Sequence, residues 1–135
     1  MEKVVITSLI ILSCLFCQAQ SKSKPDTIII YVSEKLLFEA QFDADSNLIL
    51  TKVDALTNKE TTISIELTYG NSLGGSLVIN NPFSKPLHYN AELYSIMKRG
   101  YNQASVAAVF PNISSYETWP YKIDRIRLSG FTLKE

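Results

Sequence analysis

Thr61-Thr62-Ile63-Ser64-Ile65-Glu66-Leu67-Thr68-Tyr69 is the stretch that decides the fold. Ile63, Ile65, Leu67 and Tyr69 alternate strictly with Thr62, Ser64, Glu66 and Thr68, the period of a strand with one dry face and one wet face. Toward the C-terminus, Gly70 to Gly75 reads as a glycine-rich connection, Ser76 to Asn80 as a short strand, and Asn81-Pro82 as the turn that ends it. Leu87 to Tyr94 alternates again, with Leu87, Tyr89, Ala91 and Leu93 on one face and His88, Asn90, Glu92 and Tyr94 on the other. A helix from an Asn90 cap to Gly100, with Lys98 and Arg99 in its last turn, competes for the second half, and the alternation favours the strand. Ser105 to Phe110 and Lys122 to Leu133 follow; in the latter the inward register passes from Ile126 and Leu128 to Phe131 and Leu133, so a bulge is expected at Gly130.

Toward the N-terminus, Leu48 to Leu56 is a strand and Thr57 to Glu60 a turn. Asp43 to Asn47 has turn chemistry, because Asp, Ser and Asn side chains bond their own backbone. Leu36 to Phe42 places Leu36, Phe38, Ala40 and Phe42 on one face, and Thr27 to Val32 is a continuous apolar run that reads as a buried strand. Short strands at regular spacing, with no long amphipathic helix, predict an antiparallel β-sandwich of about seven to nine strands.

The first residues are of another kind. Lys3 gives a positive start and Val4 to Phe16 an apolar stretch, the pattern of a secretory signal peptide over 1–19, followed by a polar tether over 20–26 and the sandwich over 27–135. The apolar run is short for a membrane-spanning helix. Two processing routes are open: cleavage after Ala19, with Cys17 and Ala19 as the small residues before the cut, or lipidation of Cys14, which follows Ile11-Leu12-Ser13 as in a bacterial lipobox. Cys14 and Cys17 are both in this leader, so cleavage after Ala19 leaves a domain without disulfides that depends on its core alone. The leader's end, Cys17-Gln18-Ala19-Gln20, resembles those of Gram-negative envelope proteins, which implies a periplasmic or cell-surface location.

The segment Ser76-Leu77-Val78-Ile79-Asn80-Asn81-Pro82-Phe83 through Leu87-His88-Tyr89-Asn90-Ala91 resembles the strand, Asn-Pro turn, strand unit of bacterial immunoglobulin-like domains. Together with Tyr116-Glu117-Thr118-Trp119-Pro120 it is similar to small envelope proteins of that class. The resemblance rests on structural motifs, so it implies an immunoglobulin-like β-sandwich and no particular activity.

Thirteen basic residues balance thirteen acidic ones, which removes the usual electrostatic signature for nucleic acid or anionic lipid and leaves a lipid on Cys14 as the expected membrane link. His88 is the single histidine, on a wet strand face, and without a mature cysteine no Ser-His-Asp or Cys-His set assembles. Asp43-Ala44-Asp45-Ser46-Asn47 has the oxygen spacing of a calcium loop, with Asp54 at the twelfth position, but Leu48 stands in place of the loop's glycine and the flanks are strands, so a hairpin turn is the better reading. Glu39, Glu66, Glu92 and Glu117 are the carboxylates that a glycosidase pair would draw on, and nothing singles out two of them. Gly70 to Gly75 lacks the Gly-Lys-Ser/Thr ending of a phosphate loop. Asn112-Ile113-Ser114 matches a glycosylation sequon that a bacterial leader makes irrelevant, and Asp26-Thr27-Ile28 resembles a bacterial O-glycosylation site.

Tyr116, Trp119 and Tyr121 cluster around Pro120, where exposed rings would form a platform for a sugar or a partner, unless Trp119 plugs the end of the sandwich. The expectation is a non-enzymatic exported domain, with no cofactor, catalytic residue or metal site. Its partner would be another envelope protein or a polysaccharide, met through sheet edges or the Trp119 platform.

Overall fold

The computed structural model describes residues 27–70 and 74–135. The leader over 1–19, the Cys14 lipidation site, the tether over 20–26 and Asp26 of the O-glycosylation site lie outside the described residues. The chain is all-β: β1 (Thr27–Tyr31), β2 (Glu34–Phe42), β3 (Leu48–Val53), β4 (Thr62–Tyr69), β5 (Gly75–Asn80), β6 (Leu87–Ser95), β7 (Gly100–Ala104), β8 (Ser114–Trp119) and β9 (Arg125–Leu133). All pairings are antiparallel, in a four-stranded sheet of order β1-β9-β6-β7 and a five-stranded sheet of order β3-β2-β4-β5-β8. Among the described residues there is no helix.

The alternation read in β4 becomes the centre of the core. Ile63, Ile65 and Leu67 are fully buried from the five-stranded sheet, facing Ile30, Ile126 and Leu128 from the other. Complete burial of one such side chain contributes about 1.5–3 kcal/mol. The chain passes from one sheet to the other at a two-residue corner between β1 and β2: Val32 N donates to Asp124 O at 3.0 Å and Ser33 N to Leu67 O at 2.7 Å, with Ser33 at φ 67°.

A second corner follows β5. Asn81 is wholly buried; its Nδ2 donates to the carbonyls of Lys85 (2.8 Å), Val109 (2.9 Å) and Phe110 (3.2 Å), and its Oδ1 accepts from Phe83 N at 2.9 Å. The Asn-Pro turn is therefore fixed by a side chain that ties the β5–β6 crossover to the loop between β7 and β8.

Two expectations need correction. Thr27 to Val32 is not buried throughout: Ile28 and Ile30 face the core while Ile29 and Tyr31 are exposed, because β1 is an edge strand whose outer face no other described residue covers. Ser105 to Phe110 is not a strand; the strand there is β7, Gly100–Ala104, and beyond it Leu87↔Val109 is an isolated bridge. Tyr101, Asn102 and Gln103 carry no apolar alternation, so pairing with β6 holds β7 in place. The segment containing Tyr116 and Trp119 is a full edge strand, β8, paired with β5.

Two other readings match. β6 is a strand to Ser95, with Tyr89, Ala91 and Leu93 buried at two-residue spacing, so no helix begins at Asn90. The bulge lies at Gly130, φ 64°, where the β6–β9 register shifts between His88 and Asn90. It turns Phe131 inward, against the core, where it stacks on Tyr89 with ring centroids 5.8 Å apart.

Candidate interaction surface

The antiparallel order gives the sandwich two poles. One carries the β1–β2 corner, the β4–β5 and β6–β7 turns and the end of β8; the other carries the β2–β3 hairpin and the β5–β6 crossover. Tyrosine and tryptophan are divided unevenly between them, whereas Phe42, Phe83, Phe110 and Phe131 are at the second. Of the seven tyrosines, Tyr31, Tyr69, Tyr94, Tyr101 and Tyr121 are at the first pole, as is Trp119, the single tryptophan.

Strand register builds the pole's centre. Tyr31 pairs with Arg125, Arg125 with Tyr94, and Tyr94 with Tyr101, so four side chains form one row across all four strands of the smaller sheet. The Arg125 guanidinium carbon lies 4.0 Å from the Tyr94 ring centroid, 5.7 Å from Tyr31 and 5.8 Å from Tyr101. Tyr94 and Tyr101 meet edge to face at 5.3 Å. One row inward, Arg127 stacks over Tyr101 at 3.7 Å and pairs with Glu92 at 3.3 Å. Partial desolvation works against the charge on Arg125, but the Tyr101 hydroxyl, accepting from Nε at 3.1 Å, and the nearby Tyr31 and Tyr94 outweigh it and raise its pKa. The result is a fixed cation between aromatic faces, an arrangement suited to contact with an anionic or ring-bearing partner.

The rim of the pole continues this chemistry. Lys122 Nζ stands 6.0 Å from the Tyr69 ring, and Tyr121 is exposed. The β6–β7 turn presents Ile96, 59% exposed, and Met97, 96% exposed, followed by exposed Lys98 and Arg99.

The sequence-derived platform is only partly assembled. Trp119 and Tyr121 are both at this pole, but Trp119 is half-buried and packs on the core, as an end plug would. Tyr116, 71% exposed, points from the opposite face of β8, because residues three apart in a strand face opposite ways. What sequence reasoning missed is the row Tyr31, Arg125, Tyr94, Tyr101: the outward direction of Tyr94 was readable from alternation, but which strands neighbour it was not.

The remaining candidates disperse. His88 is exposed on β6. Asp43 Oδ1 accepts from the amides of Asp45 (3.0 Å) and Asn47 (2.8 Å), and Asn47 Nδ2 reaches both carboxylate oxygens, which makes Asp43 to Asn47 the hairpin turn of β2–β3. Glu39 accepts from the hydroxyls of Thr61 and Thr62, Glu66 pairs with Lys35 at 3.8 Å, Glu92 with Arg127, and Glu117 accepts from Ala107 N at 2.8 Å. They are on three different faces of the sandwich. Among the described residues no three of His, Cys, Asp and Glu come together as metal ligands. Gly70 N donates to Gly74 O at 2.7 Å and closes the β4–β5 turn, of which residues 71–73 lie outside the description.

Inside the sandwich, the Tyr89 and Ser115 hydroxyls are buried without a hydrogen-bond partner among the described residues. Burial first, and then the charge of Glu117, push the Tyr89 phenol well up, against a smaller lowering from Ser115. At the opposite pole an open cleft of about 540 Å³ runs between Phe42, Leu48 and Leu50 of one sheet and Phe131 and Leu133 of the other. No family model, curated protein or solved structure matches this chain.

Proposed function

We propose that this protein is an exported, non-enzymatic β-sandwich of the bacterial cell envelope that works by contact, with the aromatic pole as its contact surface. The immunoglobulin-like character and the exported state come from the sequence: the Asn-Pro unit after β5, and the leader over 1–19. The single observation that supports the contact reading is the row Tyr31, Arg125, Tyr94, Tyr101, in which register alone lines three rings and a permanent cation across a whole sheet face. Tyrosine supplies large contact area at low entropic cost, and tyrosine and arginine are enriched among the few residues that dominate the energetics of protein interfaces. Such a face fits another envelope component, a protein or a polysaccharide.

The test is site-specific photocrosslinking in the native envelope. A photoreactive residue replacing Tyr101 is expected to give one reproducible adduct, and the same residue replacing Lys52, exposed on β3 of the other sheet, none. Equal or absent adducts at the two positions would overturn the reading. So would turnover of a defined substrate that a single carboxylate substitution abolishes.

A further inference from the structure

The β6–β7 turn is the part of the pole that packing explains least. Ser95 pairs with Gly100, so Ile96 to Arg99 form a four-residue loop, closed by Arg99 N donating to Ile96 O at 3.3 Å and Lys98 N to Ser95 Oγ at 3.4 Å. Its two apolar side chains point away from the core: Met97 is 96% exposed. Lys98 and Arg99 beside them join no ion pair among the described residues. One residue pair below the loop are Tyr94 and Tyr101, with Arg125 against them.

The turn itself is cationic: Lys98 and Arg99 are adjacent and exposed at its tip, on a chain whose thirteen charges of each sign balance overall. The neutrality that the sequence presents as an argument against anionic surfaces is an average that this tip does not share.

We infer that the β6–β7 turn is a membrane-docking tip: Ile96 and Met97 enter the boundary between headgroups and acyl chains of an anionic phospholipid surface, Lys98 and Arg99 meet its phosphates, and the tyrosine row lies at headgroup depth. Three observations favour lipid over a protein groove. The apolar side chains are at a protruding tip, which penetrates, and not on a flat face, which packs. Cations border them on the chain itself, as in interfacial anchors that join apolar insertion to attraction for anionic lipid. The ring of tyrosines behind them has the amphipathic character that favours the bilayer interface. No helix among the described residues is long and apolar enough to cross a membrane, and the tip requires none. The inference rests on the contact reading only through the tyrosine row, which both use.

The experiment uses the processed protein purified after export, with mass spectrometry to select unacylated chains. Sedimentation with vesicles of phosphatidylcholine alone, or with about a third phosphatidylglycerol, should show binding at least tenfold tighter to the anionic vesicles, weakening as salt is raised. The double variants Ile96→Ser with Met97→Ser, and Lys98→Gln with Arg99→Gln, should each lose about fivefold or more. Their thermal midpoints should stay at the wild-type value, since none of the four side chains packs in the core. In the cysteine-free processed chain, M97C carrying an environment-sensitive dye should shift to the blue on anionic vesicles, and D45C, in the exposed turn of the opposite pole, should not. Absence of vesicle binding at low salt, binding by both double variants as tight as that of wild type, or equal dye shifts at both poles would overturn the inference. A protein adduct at position 101 without vesicle binding would leave the contact reading standing and the lipid inference refuted.

Discussion

Replacement of Asn81 by alanine tests the fold's most concentrated polar device. Two amide hydrogens on Nδ2 serve the carbonyls of Lys85, Val109 and Phe110, and Oδ1 serves Phe83 N, so the side chain supplies about three hydrogen bonds' worth of pairing from a fully buried position. At about 1 kcal/mol net per bond, the loss is about 3 kcal/mol. Leaving the Val109 carbonyl, whose bond is itself buried, without a donor adds about 1 kcal/mol more, while the carbonyls of Lys85 and Phe110 are near enough to the surface to regain water. For a domain of this size the total corresponds to a fall in Tm of about 15 °C. Urea denaturation followed by circular dichroism gives the free energy directly. Asn80→Ala is the matched control, since Asn80 is half-exposed and makes one long bond, 3.3 Å to Ser114 Oγ; it should cost less than about 1 kcal/mol. A loss below about 1 kcal/mol for Asn81→Ala, or one no larger than the control's, would refute the idea that this side chain ties the crossover to the β7–β8 loop.

Gly130→Ala should destabilise by about 1–2 kcal/mol, because φ 64° strains any residue with a Cβ, and adding Asn90→Ala should recover only part of this, since it clears the 2.6 Å approach to Asn90 Nδ2 without changing φ; full recovery would show that the clash, not the backbone, is what matters. Tyr89→Phe should alter stability by no more than about 1 kcal/mol at neutral pH, because among the described residues the hydroxyl it removes has only the weak influence of the Ser115 hydroxyl nearby and makes no well-formed hydrogen bond. The same variant should resist alkali better: the raised pKa of Tyr89 means that its contribution is intact below about pH 10 and is lost as pH rises from there toward the folded-state value, so wild type should weaken above pH 10 more steeply than the variant in pH-dependent urea titrations. Trp119→Ala should cost about 2 kcal/mol by calorimetry, given its half-buried packing, and a variant that loses ligand binding at unchanged stability would instead favour the platform role.

The parts of the fold legible in the sequence were those where one face is dry and the other wet. β4 and the first half of β6 show their period because the core takes every second residue, and the bulge was readable because Gly130 sits where the inward set changes parity. β7 and β8 were not legible, because edge strands draw their order from a neighbour's backbone and have little need of apolar alternation. The apolar run of β1 misled for a related reason: Ile29 and Tyr31 are apolar without being buried, so composition imitated a central strand. The interaction surface was legible only in fragments. Trp119 and Tyr121 could be seen because they adjoin in the chain, whereas Tyr31, Tyr94, Tyr101 and Arg125 are brought together by the order β1-β9-β6-β7, a long-range property that no local period encodes.

The aromatic pole also differs from the rest of the molecule in what the fold requires of it. Elsewhere several conspicuous side chains have a structural reason: Asn81 holds a corner, Glu39 gathers two threonine hydroxyls, Asp43 closes a hairpin. The β6–β7 turn runs the other way. Arg99 occupies the left-handed region at φ 48°, where glycine or asparagine would relieve strain of about 1 kcal/mol, and Gly100, one residue on, pairs with Ser95 at the start of β7. Ile96 and Met97 expose apolar surface that a polar turn would hide from water at no cost to the core. A two-residue Asn-Gly turn would close the same hairpin more stably. Stability therefore argues for a different sequence at each of these positions, and contact with something outside the chain is the physical circumstance in which strained, apolar and cationic residues at one tip are all favourable together.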